Sequence, residues 1–289
     1  MTIFDPTTYL RRDNPRLLQL EADYDALDLP FQHTAWKDHQ NVGVDIANFR
    51  ADGAYVGQNR PLEAYLVTYE YVKSIDKFNW LGQLEEDGAF GVTTYTFDGK
   101  RVSRDLLDSI LELYFVYGCF AYLSSWQYLP PRWLDIGAGY GRMGYRFGTI
   151  QKNPGYYTCV DAVPISTFLC DFYIQYRHCL DRVGVVPLTR LDEIKSGEFD
   201  IACNIHSWSE CSEAAINFWL DKLVEWRVPY LFVVPHDERW VCVNEDGSIG
   251  NFKPLVLDHG YREIATRPKY PAGVDGLYPE VHYHMFERR

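Results

Sequence analysis

The spacing of apolar residues changes character about halfway along the chain. From residue 132 onward, short apolar runs recur at 132–137, 156–161, 183–187, 199–205 and 229–235. Each is the length of a buried strand and stops at a Gly, Pro or polar cluster. Between them, 165–180 and 213–226 carry apolar residues at helical spacing. Strand–helix alternation of this kind predicts an α/β domain built on a doubly wound, mostly parallel sheet. Two further strand-like segments, 261–266 and 281–287, follow at the end. They bring the expected sheet to seven strands.

The first half reads as mainly helical. Leu17, Leu18, Leu20 and Tyr24 share the spacing of a helix over 14–27, with Asn14 as its N-cap and Pro15 at the first helical position. A second helix is predicted over 61–75. A hairpin follows across 90–102, turning at Asp98-Gly99. The longest apolar stretch, 106–129, is broken by Asp108 and Glu112 and predicts a buried helix rather than a membrane span. Pro130-Pro131 ends it. The expected organisation is therefore a helical region over 1–130, covering a substrate cleft or bracing the second unit, and a catalytic domain over 131–289.

Composition narrows the partners. The net charge of −12 opposes binding to phosphate-rich polymers and anionic membranes, so nucleic acid and membrane are not expected partners. A small-molecule substrate is, and a homo-oligomer is compatible. The seven cysteines form no C-x-x-C pair and lie mostly in apolar segments, as in a reduced cytoplasmic protein. No secretory signal pattern is evident at the N-terminus.

The chemistry concentrates where strands end. Trp133-Leu134-Asp135-Ile136-Gly137-Ala138-Gly139-Tyr140-Gly141 is a strand that carries an acid and breaks into alternate glycines. Such a turn lets backbone approach a ligand closely, and Asp135 suits an ammonium group better than a phosphate. The overlapping Gly139-Tyr140-Gly141-Arg142-Met143-Gly144 is formally G-x-G-x-x-G, with Asp161 at the distance of a ribose-binding acid, which keeps an NAD-dependent oxidoreductase as an alternative. That motif should open directly after the strand, whereas this turn begins at Gly137. Asp161 ends the second strand of the domain, before Ala162, and can accept hydroxyls of a ribose or cap the next helix. The fourth strand exits through Asn204-Ile205-His206-Ser207-Trp208-Ser209-Glu210-Cys211, and the fifth through His236-Asp237-Glu238. His206 and His236 are the candidate general bases, and Glu210 can orient a base or bind a hydroxyl. Asp237 and Glu238 raise a divalent-metal alternative, set against the solvated surface on which adjacent loop acids are common. His282 and His284 share one strand face without a third ligand, so no metal site is assigned.

The register L-D-I-G-x-G-x-G at 134–141 resembles the first motif of class I S-adenosylmethionine-dependent methyltransferases. A closing antiparallel strand pair is usual in that class, and the resemblance covers the C-terminal half of the chain. It implies S-adenosylmethionine as cofactor. The cofactor-binding positions would be Asp135, Gly137, Ala138, Gly139, Gly141, Asp161 and Ala162, with Asp192 near the adenine and Asn204 beside the cofactor. Three shorter pieces resemble the sugar O-methyltransferase branch: Asn14-Pro15-Arg16-Leu17-Leu18 with Tyr24-Asp25-Ala26-Leu27, Asp161-x-x-Pro164, and Asn204-x-x-Ser207-x-x-Glu210. Cys211 departs from that last pattern, where methionine is commoner. The implied activity is O-methylation of a hydroxylated small molecule such as a sugar or natural product. The competing expectation, besides the oxidoreductase, is a non-catalytic methyltransferase-like binding module.

Overall fold

A computed structural model describes residues 5–27, 44–51, 55, 60–123, 131–150, 155–270 and 281–289. The chain opens with α1 (Pro6–Tyr9), α2 (Pro15–Asp25), α3 (Leu62–Ile75) and α4 (Trp80–Gln83). A hairpin of β1 (Thr94–Phe97) and β2 (Lys100–Ser103) leads into the long α5 (Arg104–Leu123). Then come β3 (Arg132–Ile136), α6 (Arg142–Thr149), β4 (Tyr156–Val160), α7 (Pro164–Tyr176), β5 (Val183–Val185), β6 (Ile201–Ile205), α8 (Glu213–Glu225) and β7 (Tyr230–Val234). The chain closes with β8 (Val241–Val243), β9 (Ile249–Asn251), α9 (Lys253–Asp258), β10 (Tyr261–Pro268) and β11 (His282–Arg288).

The central sheet has seven strands in the order β10-β11-β7-β6-β3-β4-β5. All neighbours from β7 to β5 pair in parallel, and only β11 runs against the rest. The fold is thus the doubly wound α/β sheet that the apolar runs predict. From β3 the chain winds outward through β4 and β5, then returns to β6 on the other side. This reversal leaves a crevice at the carboxyl ends of β3, β4 and β6, where open α/β sheets take their ligands. Helices cover both faces, so the strands are apolar throughout rather than alternating: Trp133, Leu134, Ile201, Ala202, Phe232 and Val233 are all fully buried.

Local chemistry accounts for the element ends. Asn14 accepts the Arg16 amide at 2.8 Å and caps α2, as expected. The hairpin turns at Asp98 and Gly99, whose φ values of 48° and 76° are those of a tight two-residue turn. It begins later than predicted, because Ala89–Gly91 forms a 3₁₀ turn. The predicted strand at 183–187 shortens to β5, since Pro187 offers no N–H to a ladder and opens a 3₁₀ turn instead. The β8–β9 hairpin and α9 had no periodic signal, being too short to establish one. Residues 124–130, the end of the predicted long helix and the Pro130 boundary, lie outside the described residues.

The N-terminal elements pack directly onto the sheet's helices in one continuous core. Tyr24 of α2 reaches α7 and the end of β4: its hydroxyl lies 3.0 Å from Thr167 Oγ1 and accepts the Leu188 amide at 3.0 Å. A sealed ion network does the same for α5 and α6. Arg50 donates to Glu86 and Asp105 at 2.6 and 2.7 Å, Arg146 donates to both at 2.8 and 2.9 Å, and Tyr140 donates to Asp105 at 2.7 Å. All five side chains are buried.

Candidate functional site

A cavity of about 430 Å³ opens at the carboxyl edge of the sheet, where the strand order reverses. Its floor is the β3–α6 turn. The Gly137 amide continues the ladder by donating to Val160 O at 2.9 Å, and the chain then folds back with φ of +80°. A side chain at Gly137 would collide with Ser207, and one at Gly141 (φ +83°) would lie 2.7 Å from Cys170 Sγ. The glycines therefore answer first to left-handed backbone and to close packing within the protein. Gly137, Ala138 and Gly139 line the cavity, whereas Gly141 faces α7 and does not.

Two carboxylates enter this cavity from neighbouring strands. Asp135 is the penultimate residue of β3 and is buried; it accepts the Tyr157 hydroxyl at 2.9 Å. Burial pushes its carboxyl up to about 6, with the Tyr157 bond only partly opposing the shift. Asp161 follows β4 and accepts the amides of Gly139 and Val163, each at 2.8 Å. Burial again dominates and raises it to about 7. Each oxygen retains acceptor capacity toward the cavity beyond its amide. Both acids, with Ala162, line the wall.

The ends of β6 and β7 supply the opposite wall. His206 has φ of +73°, a strained conformation for a residue with a side chain, and its amide donates to Val234 O at 2.7 Å. Its ring lines the cavity, with Nδ1 sealed from solvent and without a hydrogen-bond partner. Burial, reinforced by Lys269, His236, Arg142 and Arg104, holds this imidazole neutral. His236 lies beside it with ring centroids 5.3 Å apart, and its Nε2 is 3.6 Å from Glu210 Oε1. The three expected acid–base residues thus share one wall, formed by the two strand ends and the 3₁₀ turn Ser207–Glu210.

Besides Gly141, two expected cofactor contacts lie elsewhere. Asn204 is buried outside the cavity lining. It donates to Ile136 O at 2.8 Å and accepts the Trp208 amide at 3.0 Å, tying β6 to the end of β3. Asp192 is exposed on the 3₁₀ turn after β5 and does not reach the cavity, because β5 ends early. Asp237 pairs with Arg239 at 2.6 Å, while Glu238 pairs with His282 at 2.7 Å and lies 3.7 Å from His284. Among the described residues, no group of three or more His, Cys, Asp or Glu could hold a metal ion. None of their helices is long and apolar enough to cross a membrane.

Several lining residues carry no motif. Tyr55 lies over the glycine turn, its hydroxyl 3.1 Å from Ser166 Oγ, and a side chain at Gly139 would meet its ring at 3.1 Å. Arg104, Arg142, Lys269 and Tyr270 come from α5, α6 and the segment after β10. These positions are brought together by tertiary packing alone. The one sequence cue was the pair Asp108 and Glu112 inside an apolar helix, since buried carboxylates need cations beside them.

No protein-family model matches this sequence, and no curated protein matches it. Solved structures of similar fold include a SAM-dependent methyltransferase from Aquifex aeolicus, 16% identical, covering 62% of this chain and 92% of that one with a TM-score of 0.43. Magnesium protoporphyrin IX methyltransferase from Synechocystis PCC 6803, solved with bound SAM, is 12% identical over 78% of this chain and 97% of that one, with a TM-score of 0.45. The [4+2]-cyclase SpnF is 14% identical over 77% of this chain and 94% of that one, with a TM-score of 0.46.

Proposed function

We propose that the protein is an S-adenosylmethionine-dependent methyltransferase that methylates an oxygen of a hydroxylated small molecule, of which a sugar or natural product is the favoured class. The observation that carries this reading is the pairing of a glycine turn with two buried acids, Asp135 and Asp161, in a cavity whose facing wall holds His206, His236 and Glu210. Burial raises both acids, with Arg142 only partly opposing the shift at Asp135, and a ligand bearing an ammonium group and ribose hydroxyls supplies donors for their remaining acceptor sites. A pyrophosphate would face two carboxylates in a confined space, which disfavours the dinucleotide alternative.

When bound, the cofactor supplies an electrophilic methyl group on a sulfonium. The chain's own task is to orient the acceptor oxygen and receive its proton. Asp161 would accept the ribose hydroxyls and Asp135 the ammonium, with the backbone of 137–139 closing beneath them. His236 would take the acceptor's proton at Nε2, and Glu210, 3.6 Å away, would balance the imidazolium charge. His206, kept neutral by burial and adjacent cations, would hydrogen-bond the acceptor rather than carry a charge. The region 1–130 would complete the cleft through Tyr55 and Arg104.

Calorimetric titration with S-adenosylhomocysteine tests the cofactor assignment. Saturable binding is expected, and no heat from a folded sample overturns it. Turnover against a panel of hydroxylated acceptors then separates an enzyme from a binding module. His236→Ala should lower kcat by about 10²–10⁴-fold, the range of general-base catalysis, while leaving that titration unchanged.

A further inference from the structure

The wall formed by α5, α6 and the residues after β10 is layered by charge. Arg104, Arg142 and Lys269 line the cavity. The carboxylates that hold them, Asp108 and Glu112, are buried behind and do not line it. Lys269 Nζ lies 3.0 Å from Asp108 and 3.7 Å from Glu112, and its side chain is only 2% exposed. Arg142 Nη1 donates to Glu112 and to Ser109, each at 2.7 Å, and Arg104 Nε is 3.4 Å from Asp108. Tyr270 also donates to Asp108, at 3.0 Å.

The acids fix Lys269 and Arg142 from one side, and both side chains line the cavity. The Lys269 ammonium carries three N–H groups and the Arg142 guanidinium five, more than Asp108, Glu112 and Ser109 take up. His206 senses the outcome. The strongest charge effects on its buried ring come from cations and another imidazole: Lys269, His236, Arg142 and Arg104. Preorganised cations in a confined, poorly solvated wall are the chemistry of carboxylate and phosphate recognition.

We propose that this wall is an anion subsite and that the methyl acceptor bears a carboxylate or phosphate group seated against Lys269 and Arg142. The proposal rests on the methyltransferase reading for the word acceptor, though not for the anion. Two sources bring the same chemistry, the acceptor and the carboxylate of the cofactor's own tail. Position favours the acceptor: Lys269 follows β10, an edge strand separated by β11, β7 and β6 from β3, which carries the ammonium-facing Asp135.

The test needs no identified substrate. Titrating inorganic phosphate into the full chain should move the NMR signals of His206, with S-adenosylhomocysteine absent or present, and no movement overturns the subsite. Matched pairs, 3-hydroxybenzoate with 3-hydroxybenzamide and glucuronate with glucose, are then titrated against the protein saturated with S-adenosylhomocysteine. The anionic member should bind at least about tenfold more tightly, a preference that one charge-assisted contact can supply. Lys269→Met should abolish that preference and Lys269→Arg restore it, while affinity for S-adenosylhomocysteine changes little. Equal binding within each pair, or no binding of either member, overturns the proposal. So does a Lys269→Met protein whose loss falls on S-adenosylhomocysteine instead, since the cations would then serve the cofactor tail. Should Lys269→Met fail to fold, the phosphate titration of the wild-type protein decides alone. A failed methyltransferase reading looks different: S-adenosylhomocysteine does not bind, yet phosphate still moves His206.

Discussion

Buried acids of two kinds lie in this molecule, and Asp105 shifts in the opposite direction from Asp135 and Asp161. Asp105 is as deeply buried as Asp135 and Asp161. Burial alone would raise it, but Arg50 and Arg146 reverse the effect and hold it well below the usual carboxylate range. Asp135 and Asp161 accept a hydroxyl and backbone amides rather than a guanidinium; Arg142 draws Asp135 down only in part, and burial leaves the two raised to about 6 and about 7. Desolvation is common to both sets, so the difference lies in the counter-charge. Where the protein supplies its own cation the acid is structural. Where it withholds one, beside a cavity, the acid is left for a ligand.

That contrast fails first if the sealed network is not structural. Asp105→Ala strips five donor contacts and leaves two buried arginines with one buried carboxylate, Glu86. It should cost about 3–5 kcal/mol in denaturant unfolding, the toll of breaking a buried ion pair. A cost below about 1 kcal/mol would erase the distinction. On the cavity side, Asp161→Ala should weaken S-adenosylhomocysteine by about 100-fold, roughly two charge-assisted hydrogen bonds, with far less effect on unfolding.

Protonation sharpens the comparison next. Because Asp135 and Asp161 are raised from 3.8, the folded chain holds extra protons between about pH 4 and pH 7. Their contribution to stability is therefore present at low pH and lost as pH rises through about 6 and then 7. Unfolding of Asp161→Asn should show a flatter pH slope across that window. Affinity for S-adenosylhomocysteine should move the other way, rising from pH 5 to pH 8 as the acceptor carboxylates ionise; a flat or falling affinity would contradict the assignment. The smallest effect is expected at Tyr55→Phe, which loses the hydroxyl contact with Ser166 and should weaken that ligand by less than about fivefold.

Most of the fold was legible because its strands are buried on both faces. Leu134, Val160, Ile201 and Val233 sit in runs that only a covered parallel sheet explains. The glycine turn and its acids were legible too, though for a partly different reason. Gly137 and Gly141 are required by Ser207 and Cys170, contacts that no local pattern announces. Asn204 and Asp192 show how far a motif reaches: it locates a strand end, but not whether the side chain there faces a crevice or a neighbouring backbone carbonyl. Arg104, Arg142 and Lys269 were invisible as a set, since they come from three elements joined only in space. Asp108 and Glu112 were read only as interruptions of an apolar helix, and they prove to be the anchors of that set.

Tyr24 has a consequence for anyone trimming the gene. Its hydroxyl bridges Thr167 of α7 and the amide of Leu188, and it lies 3.5 Å from the carbonyl of Asp161. A fragment cloned from Pro131 would retain the glycine turn, its acids and the two histidines yet lose this buckle, and with it the cover over Leu188 and the loop that carries the ribose-facing acid. Expression designs that begin at the glycine strand should be expected to yield a sticky, ligand-blind product, and the opening helices belong in any minimal working version.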